Sequence, residues 1–319
     1  MTIALPIEII DNILSWTNTK SLILPFDNIL SKNSLKLLLK ELSIDEECRN
    51  PKASLKIIKL LFYIGKDCTT DAMDIASRNG NLKMVEYLHL IGKECTTRAM
   101  NYASEFGHLD VVRYLHMIGK NFTIWAIESA CKNGRLDILK YLHKIGKDVS
   151  CTTKAMDLAG WYGRLKIVEY LHKIGQDCTT SAMDIASRNG HLKTVKYLHK
   201  IGKECTTDAM DLASWNGHLE VVIYLHSIGK DCTIKAIDRA KEKGYLNIVE
   251  YLHQIGKECT TDAMDLASWN GLLEVVIYLH SIGKDNKSYT IKTIDWAEEK
   301  GYINIVEYLL SKQNSRLIV

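Results

Sequence analysis

The sequence predicts an all-α solenoid of repeated helix–turn–helix units, and three observations carry that prediction. Eighteen of the nineteen glycines fall on two interleaved ladders whose steps are 27 residues nearly throughout. The segments between rungs show apolar residues at helical spacing. No segment requires a strand. A fixed period of this length marks repeat architectures, in which each unit buries its apolar face only against its neighbours.

Taken in chain order, residues 1–50 contain no glycine and no repeat. Residues 5–16, LPIEIIDNILSW, read as a helix starting at Pro6, with Ile9, Ile10, Ile13 and Leu14 on one broad apolar face. Such a helix can cap the open apolar end of a solenoid. A half copy, LKIIKLLFYIG at 55–65, follows, and about nine helix pairs run from Thr69 to residue 311. The predicted organisation is a helical cap over 1–50, a solenoid over 51–313 and a tail over 314–319.

Residues 205–231 show the unit most clearly. Thr206 or Thr207 is suited to cap a helix, with Asp208 in its positive first turn. Ala209, Met210, Leu212 and Ala213 give that helix a narrow apolar face. Gly217 ends it, because glycine takes the left-handed conformation without a Cβ penalty. The second helix carries Leu219, Val221, Val222, Tyr224, Leu225 and Ile228, apolar on most sides, as a helix packed between neighbours requires. Gly229 ends it in turn. Residues 206–231 recur at 260–285 with one difference, His218 against Leu272, and 233–252 recur closely at 290–309. Duplication of a two-repeat block is the simplest origin.

The core AxxNGHLEVVxYLxxxG resembles the ankyrin repeat, whose second half reads AAxxGHxxVVxLLLxxGA, and the resemblance covers roughly residues 55–311. The family period is 33, six more than here. The resemblance therefore implies an ankyrin-like solenoid whose β-hairpin fingers are absent or reduced to tight turns. The family's TPLH becomes DAMD here, and all three prolines (Pro6, Pro25, Pro51) precede the array. The YLHxIGKxCTTxAM wording is similar to ankyrin sets encoded by giant DNA viruses of amoebae. Separately, Leu5, Pro6, Glu8, Ile9, Ile13 and Leu14 match the LPxEIxxxIL opening of an F-box, although the tryptophan expected later in that motif is missing. An F-box would imply docking to the adaptor subunit of a cullin-type ubiquitin ligase through Leu5, Pro6, Ile9 and Ile13. A cap and an F-box-like dock remain two compatible readings of this segment.

Composition excludes several functions. Apolar content of 46% and charged content of 25% are ordinary for a globular domain. A net charge of +3 with interleaved signs gives no footing for nucleic acid. No apolar run approaches the roughly 18 residues needed to cross a bilayer. The N-terminus lacks a basic start and carries Glu8 and Asp11, unlike a signal peptide, so a cytoplasmic monomer is expected, in the host cell under the viral reading. Seven of nine cysteines share one slot: Cys68, Cys95, Cys151, Cys178, Cys205, Cys232 and Cys259. One slot on neighbouring helices recurs at about 8–10 Å, beyond the roughly 7 Å that a disulfide spans. A histidine ladder (His89, His116, His143, His172, His199, His226, His253, His280) offers one ligand per unit without paired cysteines, so no metal is expected. No cofactor motif occurs. Every candidate acid or base is a repeated frame residue, whereas an active site needs unlike residues to converge. No enzyme is expected.

An acidic ladder, Asp74, Glu128, Asp157, Asp184, Asp211, Asp238, Asp265 and Asp295 with Asn101 interposed, occupies the slot of the TPLH histidine. It is expected to accept backbone N–H bonds between repeats. The lysines after the first glycine ladder, Lys66, Lys93, Lys203, Lys230, Lys257 and Lys284, lie at helix C-termini, where dipole and solvation suit them. Partner contacts are sought where residues vary within a fixed frame. The slot two before the second glycine ladder reads Arg78, Glu105, Lys132, Trp161, Arg188, Trp215, Glu242, Trp269 and Glu299. The family resemblance implies that this slot faces a binding surface. Trp and Arg are enriched at interface hot spots. Arg78, Trp161, Arg188, Trp215 and Trp269, with Trp125 in another first-helix slot, are the candidate contacts with a protein partner, a host protein under the viral reading. Filling gaps between repeats is the competing role for the tryptophans.

Overall fold

A computed structural model describes residues 36–37, 39–146, 152–257, 263–282 and 291–314. The helix expected at 5–16, residues 315–319 of the expected tail, and Gly283, Lys284, Cys151 and Cys259 lie outside the described residues; Asn314, the first tail residue, ends the last helix. The chain divides into two units, residues 1–151 and 152–319. The sequence marks this division, because the step from Gly146 to Gly175 is one of the two 29-residue steps.

In the first unit, α1 (Ile44–Arg49) pairs with α2 (Leu55–Tyr63), and α3 (Thr70–Arg78) with α4 (Leu82–Leu90). Next come α5 (Thr97–Phe106) with α6 (Leu109–Met117), and α7 (Ile124–Asn133) with α8 (Leu136–Ile145). The second unit starts with α9 (Thr153–Trp161) and α10 (Leu165–Lys173), α11 (Ser181–Arg188) and α12 (Leu192–Lys200), and α13 (Asp208–Trp215) and α14 (Leu219–Ser227). It continues with α15 (Ile234–Glu242) and α16 (Leu246–Gln254), α17 (Ala263–Trp269) and α18 (Leu273–Ile282), and α19 (Ile291–Glu299) and α20 (Ile303–Asn314). Within each unit, first helices pack on first helices and second helices on second helices. Among the described residues there is no strand. Only residues 230–233 separate Gly229 from α15, so the family's fingers have no room.

Residues 44–49 of the segment expected as a cap form a first helix of the array. Helix α1 packs on α3 as a first helix does, burying Ile44 and Cys48, and Asp45 accepts the Thr69 N–H at 3.1 Å. The half copy at 55–65 is thus the second helix of a shortened pair. Lys66 Nζ donates to the Lys40 carbonyl at 2.8 Å and to that of Leu42, pinning the turn before α1.

Small residues bring the first helices together. Ala72, Met73 and Ala76 of α3 are 2% exposed or less, as are Val85 and Leu88 of α4. Alanines let neighbouring first helices approach closely, whereas valine, leucine and tyrosine hold second helices further apart. Within each unit the first helices accordingly pack more closely on one another than the second helices do. Gly160, the one glycine off both ladders, follows from this closeness. It lies inside α9, and a Cβ there would meet the Ala182 carbonyl oxygen of α11 at 2.7 Å.

Both ladders terminate helices in the left-handed region, with φ from 64° to 95°; Gly146, at φ −97°, is the exception among the described rungs. At α13 the His218 N–H donates to the Ala213 carbonyl at 3.0 Å and the Gly217 N–H to that of Ser214 at 3.4 Å, a Schellman closure. The ladders differ in a second requirement. A Cβ at Gly202 would meet nothing within 4 Å, whereas one at Gly190 would fall 2.6 Å from the His218 ring of the next repeat. Apart from Gly146, the described rungs of the first ladder need glycine for their dihedral alone, whereas on the second ladder Gly80, Gly107, Gly163, Gly190, Gly217, Gly244 and Gly271 need it for contact as well.

The acidic ladder joins consecutive repeats. Asp211 accepts the Thr233 N–H at 2.8 Å and the Thr233 hydroxyl at 2.5 Å, while that hydroxyl oxygen accepts the Lys235 N–H at 3.2 Å. The same arrangement links Asp74 to Thr96, Asp157 to Thr179 and Asp184 to Thr206. Asn101 keeps the link with reversed polarity: its carbonyl accepts the Thr123 N–H at 3.1 Å and its amide donates to the Thr123 hydroxyl at 2.9 Å. Thr123 then makes no side-chain cap bond to its own helix.

Two outcomes follow. Asp211→Ala strands the Thr233 N–H and is expected to cost about 1–3 kcal/mol, whereas Asp211→Asn, imitating Asn101, costs less than about 1 kcal/mol, read from urea unfolding midpoints. Gly160→Ala is expected to lower the thermal midpoint, although alanine in a helix is worth about 1 kcal/mol over glycine, because overpacking against the Ala182 carbonyl costs about 1–3 kcal/mol.

Candidate functional site

The candidate contacts lie on the first helices of each unit. In the first unit they form a connected cluster. The Arg78 guanidinium at the end of α3 lies over the Phe106 ring at 5.0 Å and the Tyr102 ring at 5.9 Å. Tyr102 in turn meets Trp125 edge-on, with centroids 5.9 Å apart. Phe106 and Trp125 each keep 39% of their surface exposed. Arg78 and Trp125 are thus brought together through Tyr102, a residue the slot pattern missed. Variation at one slot did not reveal that its ring would bridge two others.

In the second unit the three tryptophans stand two repeats apart, each with its own companions. Trp161 is 42% exposed and stacks on Tyr162 at 5.9 Å with 14° between the ring planes. Its carbonyl accepts the Asn189 amide at 2.9 Å, which ties the following repeat to it beside the exposed Arg188. Trp215 is half-buried and has Arg239 at 5.0 Å and Lys243 at 4.8 Å over its ring. Trp269 is 37% exposed, meets Trp296 edge-on at 5.8 Å and carries Lys300 at 3.9 Å over its face. Cation–π contacts of this kind hold the aromatic planes without sealing them from solvent. The cations come from repeats whose own slot holds glutamate, Glu242 and Glu299, so the alternation of the two-repeat block generates the pairs.

The remaining ladders lie elsewhere. On the second helices, Nδ1 of His116, His199, His226 and His280 hydrogen-bonds the hydroxyl of Tyr141, Tyr224, Tyr251 and Tyr308 at 2.8–3.1 Å. With the ring proton on Nε2, Nδ1 accepts from the tyrosine. No group of three or more His, Cys, Asp or Glu able to hold a metal occurs among the described residues. The lysines at the second-helix ends do more than suit the dipole. Lys203 reaches the Asp177 carboxylate of the preceding repeat at 2.6 Å, and Lys93, Lys120, Lys230 and Lys257 similarly reach Asp67, Glu94, Glu204 and Asp231. These ammonium groups hold the five carboxyls below their usual range. Leu5, Pro6, Ile9 and Ile13 lie outside the described residues.

A family model for ankyrin repeats, in three copies, matches residues 156–236. The matched segment runs from within α9 to the start of α15, inside the second unit. Ankyrin repeats are generic protein–protein interaction modules and typically carry no enzymatic activity. No curated protein matches the chain. No helix among the described residues is long and apolar enough to cross a membrane.

Cys48, Cys68, Cys95, Cys178, Cys205 and Cys232 are free thiols. Burial pushes the thiols of Cys68, Cys95, Cys178 and Cys232 up to about 11, and that of Cys48 to about 12. Raised values leave little thiolate, the nucleophilic form, near neutrality. Alkylation of Cys68, Cys95, Cys178 and Cys232 by iodoacetamide at pH 8 is therefore expected to run about 100-fold slower in the native chain than in urea, read peptide by peptide by mass spectrometry.

Proposed function

We propose that this protein is a non-enzymatic interaction module that holds a protein partner on the first-helix side of its repeats. The observation that carries the reading is the open tryptophan surface of the second unit, where Trp215 and Trp269 sit beneath Arg239, Lys243 and Lys300. Burying a half-open tryptophan on association gains apolar area and strengthens the adjacent cation–π contact by removing water. Trp161 and Arg188 extend this surface in the second unit, and Arg78, Tyr102, Phe106 and Trp125 supply a corresponding cluster in the first. With no finger to reach outward, affinity rests on helix faces. The likeness of the repeat wording to giant-virus sets makes a host-cell protein the partner to look for first, and the cytoplasm the place to look.

Affinity purification from host-cell extract with quantitative mass spectrometry tests this. The wild-type chain and an outer-face variant, Lys193→Ala/Glu220→Ala, are expected to retain the same protein. Trp215→Ala/Trp269→Ala should lose it by at least about 10-fold, as removal of two hot-spot side chains implies. Equal retention by the tryptophan variant, at an unchanged thermal midpoint, would sink the reading.

A further inference from the structure

Trp215 differs from Trp269 in what lies over its ring. Arg239 and Lys243 of α15 both approach it, at 5.0 Å and 4.8 Å, and positions four apart share one face of a helix. Both distances run to a single centroid, so the two positive groups are no more than about 10 Å apart and raise the local potential together. Neither forms an ion pair with a carboxylate among the described residues. Other cations of the array do: Arg98 of α5 reaches Asp71 at 2.8 Å, and Lys203 reaches Asp177 at 2.6 Å. Over Trp269 the second copy of the block holds Lys300 alone, with Trp296 in the place of Arg239 and the exposed Glu298 and Glu299 beside it.

The acidic groups on the helices around Trp215 are mostly committed. On α11, α13 and α17, Asp184, Asp211 and Asp265 hold Thr206, Thr233 and Thr293. Asp208 of α13 stands to Lys235 of α15 in the repeat positions that pair Asp71 with Arg98. On α15 itself Asp238 is already engaged, and Lys241 is buried and brings no negative charge. Among the described residues of these helices, the half-buried Glu242 is left to offset Arg239, Lys243 and the exposed Arg188 of α11. An excess of positive charge therefore surrounds a half-open indole. Resting on the reading of the first-helix side as the binding face, we propose that Trp215, Arg239 and Lys243 receive an acidic segment of the partner protein. Its carboxylates meet the two cations while an adjoining apolar side chain covers the indole. Burial removes water from both kinds of contact and strengthens them. A continuous row of nucleic-acid phosphates fits less well, because Asp208 and Glu242 stand among the cations.

Fluorescence anisotropy of the full chain with a fluorescein-labelled peptide of Glu-Leu-Ser repeats provides the test, at about 0.05 M salt, where exposed charges are little screened. This peptide is expected to bind at least about 10-fold more tightly than its Gln-Leu-Ser counterpart, and the advantage should vanish near about 1 M salt. Arg239→Gln/Lys243→Gln should abolish the preference. Lys193→Gln/Lys200→Gln, which removes the same charge from exposed positions of α12, should keep it, with thermal midpoints measured to show that both variants fold. Absence of a preference for the acidic peptide overturns the proposal, and so does a preference that survives in the Arg239→Gln/Lys243→Gln variant. Tighter binding of a labelled oligothymidylate of equal charge overturns it in favour of a nucleic acid. Should the acidic peptide show no advantage while Trp215→Ala/Trp269→Ala still loses the host protein, the acidic segment fails and the binding face stands.

Discussion

Each unit is held by one hydrogen-bonded relay between repeats: a carboxylate on one first helix bound to the threonine that starts the next. At Asp211 the relay runs from the Lys235 N–H to the Thr233 hydroxyl oxygen, and from the Thr233 hydroxyl and N–H to the carboxylate. Isolated helices shorter than roughly 12–15 residues are marginal in water, and α15, at nine residues, is shorter still. The threonine supplies the cap that such a helix needs, and the aspartate orients the threonine. Initiation of each helix is therefore coupled to the presence of the repeat before it. A carboxylate accepting charge-assisted bonds is stronger than a neutral amide in this role. Asn101 shows the consequence, since Thr123, already holding the amide proton, no longer caps its own helix.

That relay dictates the close approach of the first helices, and the close approach dictates the rest. Threonine can reach the preceding aspartate only if residues such as Ala72 and Ala99, or Gly160 and Ala182, allow near contact. The second helices meet through valine and leucine and are stitched at the surface by His–Tyr and Lys–carboxylate pairs. Exposed ion pairs of this kind contribute little individually, because salt and water screen them. Their regular direction, each lysine reaching back one repeat, favours a single register between neighbours over slipped alternatives. Specificity of stacking, more than its strength, is what the outer ladders supply.

The features legible in the sequence are those set within one repeat. A glycine past the end of an amphipathic segment announces a left-handed terminus, because the dihedral requirement is local. The acidic slot was legible as well, since an aspartate mid-helix under a conserved threonine frame needs a backbone donor nearby. What escaped is whatever depends on the phase between successive repeats. That His199 meets Tyr224, or Lys203 meets Asp177, follows from how two helices are rotated relative to each other, and no spacing in one chain states that angle. Helix α1 escaped for another reason: six residues without glycine or a Thr-Thr cap carry no period, and its place in the array shows in its packing on α3 and in the bond from the Thr69 N–H to Asp45. At the candidate site the tryptophans were found by slot, but their companions Tyr102, Arg239 and Lys300 were not, because they occupy other slots of the neighbouring repeat.

The same helix can carry a recurrent joint and a variable surface because the two use different arcs of it. At about 100° per residue, positions equivalent to 71, 75 and 78 fall roughly 40–100° around the helix from the aspartate at 74. The aspartate sits at the edge nearest the next repeat, and the other three occupy a neighbouring arc of the same helix. Those three positions read Asp71, Ile75 and Arg78 in α3 but Lys235, Arg239 and Glu242 in α15, while the joint to the neighbouring threonine persists in most repeats between them. Exchange of side chains on that arc therefore leaves the relay intact. Duplicating a block of two repeats then copies a paired surface, tryptophan on one helix and cations on the next, without any change in how the repeats lock. A binding face can diversify in this way at little cost to folding, provided that the positions facing the neighbour, such as Gly160, stay small.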